Sequence, residues 1–152
     1  TGIQFGPDFL WHMFNPDQSD WFMHSEKSAA ALCIFKEIHP DLQVQFASDL
    51  QYALNFEGRD LTDDEAYRHL LLKYGIPAET FYSRLNSPEY IEKAHYEFTL
   101  CKQLQVSGFP QVLVQTGDQK FYLLSRGYTD YETLCARFSA VWEEINKKTD
   151  NV

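Results

Sequence analysis

The sequence predicts an α-rich α/β chain: a train of helices, then a β-hairpin, then a closing helix. Three observations predict it. From residue 25 to 105, capping residues and stop signals punctuate runs of helical character. At 111–115 and 120–125 the pattern changes to the short runs QVLVQ and KFYLLS, with TGDQ between them. Runs rich in Val, Leu, Phe and Tyr around a Gly-containing turn read as a hairpin. From about residue 130 a last capped helix follows, DYETLCARFSAVWEEINKK.

Residues 1–24 form an irregular lead-in. Gly-Pro and Asn-Pro pairs mark turns there, and a short helix is expected from Pro7 to Phe14. Ser25 can cap a helix from Glu26 to about His39. Pro40 opens, or Asp41 caps, a second helix through SDLQYALNF to about Glu57, and Gly58 ends it. Thr62 with Glu65 makes a capping box for TDDEAYRHLLLKYG, which Gly75 stops. PAETFYSRL gives a short helix at about 78–85. Ser87 caps the next helix, with Pro88 at its first position, where the missing N–H costs nothing. That helix is expected to reach about 105, with Ile91, Ala94, Phe98, Cys101 and Leu104 on one buried face. The organisation expected is one compact unit: the lead-in 1–24, a helical insertion 25–86, and a helix–loop–hairpin–helix segment 87–152.

The hairpin is informative. VLV and FYLL are unbroken apolar runs, which suit strands covered on both faces. Two strands alone are marginal in water, and their edges expose unpaired backbone. Something else is expected to complete the sheet: a strand in 1–24, another chain, or strands upstream of Thr1. The third is favoured. Pro110 opens the first strand, and a residue without an N–H suits a strand's first position.

Composition excludes several functions. The net charge is −9, which disfavours nucleic acid and anionic membrane surfaces as partners. Apolar residues make up 44%, which places the chain among globular proteins, and no run approaches the length of a membrane span. Most of the twelve Phe, nine Tyr and three Trp are expected in the core. Cys33, Cys101 and Cys135 form no CxxC pair and no disulfide framework. Each falls inside an expected helix rather than at a helix start, and none is expected to have a Lys or Arg placed to activate it, so all three are expected to be buried structural thiols. Thr1 begins no signal peptide, and no initiator Met is present. A cytoplasmic protein is expected.

Other chemistry is weakly signalled. Glu92-x-x-His95 has the spacing of a di-iron ligand pair, but no second copy exists, so no metal is expected. Glu65 and His69 are expected to pair on a helix surface. NPDQSDWFMHSE could line a cleft through Trp21, Phe22 and His24, with local core anchoring as the plainer role. No P-loop, dinucleotide fingerprint or G-x-S-x-G occurs, and no cofactor is expected.

Four stretches carry a family resemblance: TGIQFG, LQYALNFEGRDLTD, VSGFPQVLVQ and RGY. With the order of elements, they resemble the second half of DsbA-like thioredoxin-fold proteins, and within them the branch described as predicted protein-disulfide isomerases. The resemblance implies a cis bond between Phe109 and Pro110. It also implies a substrate-binding loop of Gly108, Phe109 and Pro110 beside a redox-active sulfur, with protein thiols and disulfides as partners. The family's Cys-x-x-Cys, carried at a helix start that lowers the thiol pKa, has no counterpart here. The chain is therefore expected to begin some way into the family's pattern, to hold no catalytic residue, and to be inactive alone. Two alternatives stay open. Kappa-class glutathione transferases and 2-hydroxychromene-2-carboxylate isomerases are similar too; they use Ser in place of the first Cys and bind glutathione. A non-catalytic module whose homodimer completes the sheet is the other.

Overall fold

The computed structural model describes residues 4–22, 24–117 and 120–149. The chain groups into two units, residues 1–99 and 100–152. The order is α1 (Pro7–Phe14), α2 (Glu26–Ile38), α3 (Gln43–Asn55), α4 (Arg68–Tyr74), α5 (Ala78–Leu85), α6 (Pro88–Gln103), β1 (Gln111–Thr116), β2 (Lys120–Arg126) and α7 (Tyr131–Thr149). Short 3₁₀ turns at Pro40–Leu42 and Asp64–Tyr67 lead into α3 and α4.

The first unit is helical. α2 packs on α3 and α5, and its Ala30 and Ala31 are fully buried, which lets neighbouring backbones approach closely. Phe35 and Phe46 stack with ring centroids 4.0 Å apart, and Tyr74 meets both rings edge-on. Such pairs contribute about 0.5–1.5 kcal/mol beyond the area they bury. Tyr67 is fully buried and donates its hydroxyl to the Leu61 carbonyl at 2.7 Å. Burial, then the charges of Asp64 and Asp60, push this phenol well above its ordinary range, so it remains a neutral donor. On the surface, His95 meets Glu26 at 2.5 Å and Lys93 meets Glu37 at 2.6 Å, tying α6 to α2.

Several local expectations change. The Thr62–Glu65 capping box does not form. Asp63 caps instead, accepting the Glu65 N–H at 3.1 Å, and the segment starts as a 3₁₀ turn. That change also separates Glu65 from His69, since i,i+4 neighbours meet only on an α-helix. Glu65 pairs with Arg68 at 2.5 Å, and His69 lies 3.3 Å from Glu57. Ser25 makes no side-chain cap. On α6, Ala94 is buried, Ile91 and Cys101 are half-buried, as is Leu104 just past the helix end, and Phe98 is 36% exposed, so only Ala94 of the expected face is fully covered.

The lead-in is held by two glycines. Gly6 N–H donates to the Asn55 carbonyl at 2.9 Å, and a Cβ there would stand 1.7 Å from the Phe56 carbonyl oxygen. Gly58, at φ +69°, leaves room for Asp8, whose Cβ would be 2.6 Å from an added methyl. Gly6, the last residue of TGIQFG, thus meets Asn55 and Phe56 of LQYALNFEGRDLTD, joining two of the stretches that carried the resemblance.

In the second unit β1 and β2 pair antiparallel, from Gln111 opposite Arg126 to Thr116 opposite Lys120. They form a two-stranded sheet. Asp118 and Gln119 of the expected turn lie outside the described residues. Val112 faces Ser125 and Leu113 faces Leu123, so Leu124 is an extra residue, a bulge. Both Leu124 and Ser125 are buried at 3% exposure. α7 packs on β2: Arg137 donates to the Leu124 carbonyl at 2.7 Å, and the Tyr122 hydroxyl bonds Glu144 at 2.9 Å. The other face carries Phe121 and Leu123, 40% and 50% exposed. No described helix is long and apolar enough to cross a membrane.

Candidate functional site: the loop before the first strand

The loop is set by how α6 ends. Gln105 takes a left-handed conformation, φ 56°. Its N–H bonds the Lys102 carbonyl at 3.0 Å, and the Val106 N–H bonds Cys101 at 2.9 Å. That pair of bonds is a Schellman ending, which turns the chain sharply out of the helix. Residues 106–110 then run as an open loop. Gly108 has nothing within 4 Å of a built Cβ, and Phe109 is 82% exposed. The Phe109–Pro110 peptide is cis.

Pro110 lacks an N–H, but its carbonyl is used: Gly127 N–H donates to it at 2.8 Å. Gly127 sits at φ +82°, where a side chain would be strained, and its own carbonyl accepts from Ser125 Oγ at 3.2 Å. The loops VSGFP and RGY, two further stretches of the resemblance, are therefore bonded together. Beside them Tyr128 is 79% exposed. Sequence reasoning singled out Gly108, Phe109 and Pro110 and passed over Tyr128, although RGY was visible. The result is a pair of exposed aromatic side chains, Phe109 and Tyr128, on two loops joined by a short backbone bridge, with the exposed Arg126 next to Gly127. β1 pairs with one strand, so its other edge has no strand partner among the described residues.

The cysteines divide. Cys33 is buried; burial first, and then Glu97, push its thiol up, against Lys36 and Lys93, which pull it down. Lysines are therefore near Cys33, contrary to expectation, and burial outweighs them. A neutral thiol is a poor nucleophile. Cys101 is half-buried. Cys135 is exposed, which corrects the expectation of a buried thiol. The face of α7 that carries it is not covered by β2. Its thiol lies beside the Tyr131 hydroxyl and raises that phenol's pKa. No group of three His, Cys, Asp or Glu suited to a metal occurs among the described residues. His95 pairs with Glu26 rather than acting with Glu92.

An α-helix turned through an open loop into a hairpin, with a closing helix on one face, is a thioredoxin-like arrangement with a helical segment ahead of it. The chain belongs to the DSBA-like thioredoxin domain family, whose model matches residues 12–139. It shares its fold with a crystal structure described as a "putative protein disulfide isomerase" from Nitrosomonas europaea. That likeness has a TM-score of 0.73 at 21% identity and covers 89% of this chain and 71% of that one. No curated protein sequence matched.

Proposed function

We propose that the loop of Gly108, Phe109 and Pro110 is the polypeptide-binding wall of a thiol–disulfide exchange site, and that this chain alone has no exchange activity. One observation carries the reading: Phe109 stands 82% exposed on a loop that leads directly into an open strand edge. An extended peptide can pair its backbone with such an edge while an aromatic anchors its side chains. Membership in a DsbA-like family supports protein thiols and disulfides as partners. The chain holds no Cys-x-x-Cys, and its most exposed thiol, Cys135, has no thiol partner in sequence reach. Free thiols support a reducing, cytoplasmic setting.

The test has two arms. In the first, the chain is added to insulin with dithiothreitol; no acceleration over dithiothreitol alone is expected, and clear turnover refutes the inactivity. In the second, an extended cysteine-containing peptide is titrated while backbone amide signals are followed. Shifts at 106–112 are expected, and Phe109→Ala is expected to weaken binding about fivefold or more. Shifts confined elsewhere, or an unchanged affinity, refute the site.

A second reading has its own observation, the uncovered Phe121 and Leu123 face beside the open edges. A homodimer would complete the sheet there. Light scattering across a concentration series decides it: a molecular mass that stays at 17.8 kDa rules it out.

A further inference from the structure

A groove of about 580 Å³ opens in the first unit between α2, α3 and the 60–62 loop. That is within the usual size of a small-ligand site, about 300–1,000 Å³. Its walls include Leu32, Ala47, Leu54 and Leu61, and its rim includes Phe22 and Val44, which are 73% and 80% exposed. Phe22 therefore lines a cleft rather than anchoring the core.

Asp60 is the only carboxylate among the lining residues, and none of them is Lys or Arg; His24, stacked on Phe22 with ring centroids 5.9 Å apart, is the only titratable base. Asp60 Oδ1 is fixed by the Thr62 N–H at 2.8 Å and by the Thr62 hydroxyl at 2.7 Å. Its Oδ2 makes no hydrogen bond or ion pair among the described residues. A carboxylate held in place, with one oxygen free at the wall of an apolar groove, is complementary to a positively charged donor attached to an apolar chain.

We propose that this groove binds a small amphiphilic amine. Its apolar chain lies along Leu32, Ala47 and Leu54, and its ammonium donates to Asp60 Oδ2. A ligand with a carboxylate head meets Asp60 as a like charge and binds more weakly. This site is independent of the 106–110 loop and of any thiol chemistry.

The experiment titrates the full chain with decylammonium, decanol and decanoate, each below its micelle concentration, and follows backbone amide signals. Decylammonium is expected to shift signals at 47–54 and to bind roughly tenfold more tightly than decanoate, from one charge-assisted bond gained against a like-charge contact. Ala47→Phe fills the groove and is expected to remove binding of all three. Val44→Lys, at a rim position that packing barely constrains, keeps the fold and is expected to weaken decylammonium and strengthen decanoate. Equal binding of the ammonium and the carboxylate, shifts confined to other residues, or a Val44→Lys chain with unchanged preference overturns the proposal.

Discussion

Gly6→Ala tests how the lead-in is held. Gly6 has an ordinary extended backbone, φ −71° and ψ 154°, so alanine carries no conformational penalty there. The whole cost is steric. An added Cβ lies 1.7 Å from the Phe56 carbonyl oxygen, and real Cβ contacts essentially never fall under 3.0 Å. The two backbones must therefore part by roughly 1.3 Å, the difference between those distances. The Gly6–Asn55 hydrogen bond, now 2.9 Å, then stretches past any useful length. Overpacking of this kind costs about 1–3 kcal/mol, and the lost bond adds about 1 kcal/mol. The expected loss is about 2–4 kcal/mol, a drop of roughly 5–15 °C in Tm for a chain of this size. Urea unfolding followed by circular dichroism measures the loss, and hydrogen exchange at the Leu10 amide shows whether α1 loosens first. Gly117→Ala is the control, because Gly117 has positive φ, 68°, but open space around it; its cost is about 1 kcal/mol, conformational only. A Gly6→Ala chain within about 0.5 kcal/mol of the parent would refute the steric reasoning.

Other outcomes follow from single contacts. Gln105→Gly relieves the left-handed Gln105 at the end of α6 and is expected to raise stability by about 0.5–1 kcal/mol in denaturant unfolding. Tyr67→Phe leaves the buried Leu61 carbonyl without its donor and is expected to cost about 1–3 kcal/mol by the same measurement. Burial raises the pKa of Asp49, but bonds from Lys73 at 2.7 Å and Tyr74 at 2.5 Å outweigh it and hold the carboxyl below its ordinary range. Protons then bind the unfolded chain more readily, so this stability is present above about pH 4 and lost as pH falls further. Asp49→Asn is expected to lower stability at pH 7 and to flatten the acid limb of a stability–pH curve; an unchanged limb counts against it.

Much of the fold was legible because its signals are local. Pro7, Pro88, Gly58 and Gly75 mark helix ends through backbone geometry alone, and the hairpin strands match their apolar runs. The misses have a common cause in side-chain competition. Thr62 and Asp63 are both able to cap, and the choice between them moved the helix start and redirected Glu65 to Arg68. The burial of a cysteine depends on what packs over its helix face, which spacing does not reveal; Cys33 and Cys135 read alike and differ completely. At the candidate site, Gly108, Phe109 and Pro110 were visible as a motif. The bond from Gly127 that joins RGY to it spans seventeen residues and has no local signature. The groove beside Asp60 is assembled from three separate segments, and no spacing rule connects them.

The bulge at Leu124 gives this hairpin an uncommon tolerance to a change in length. The pairs on either side, Val112 with Ser125 and Leu113 with Leu123, are already consecutive on β1. Deleting Leu124 would therefore leave every one of those pairs in register and every remaining side chain on its present face. What the deletion takes away is the carbonyl that Arg137 grips and a buried leucine under α7. Strand pairing and helix docking are thus encoded by different residues of one seven-residue strand, and a single-codon loss can release the helix while the ladder stays intact.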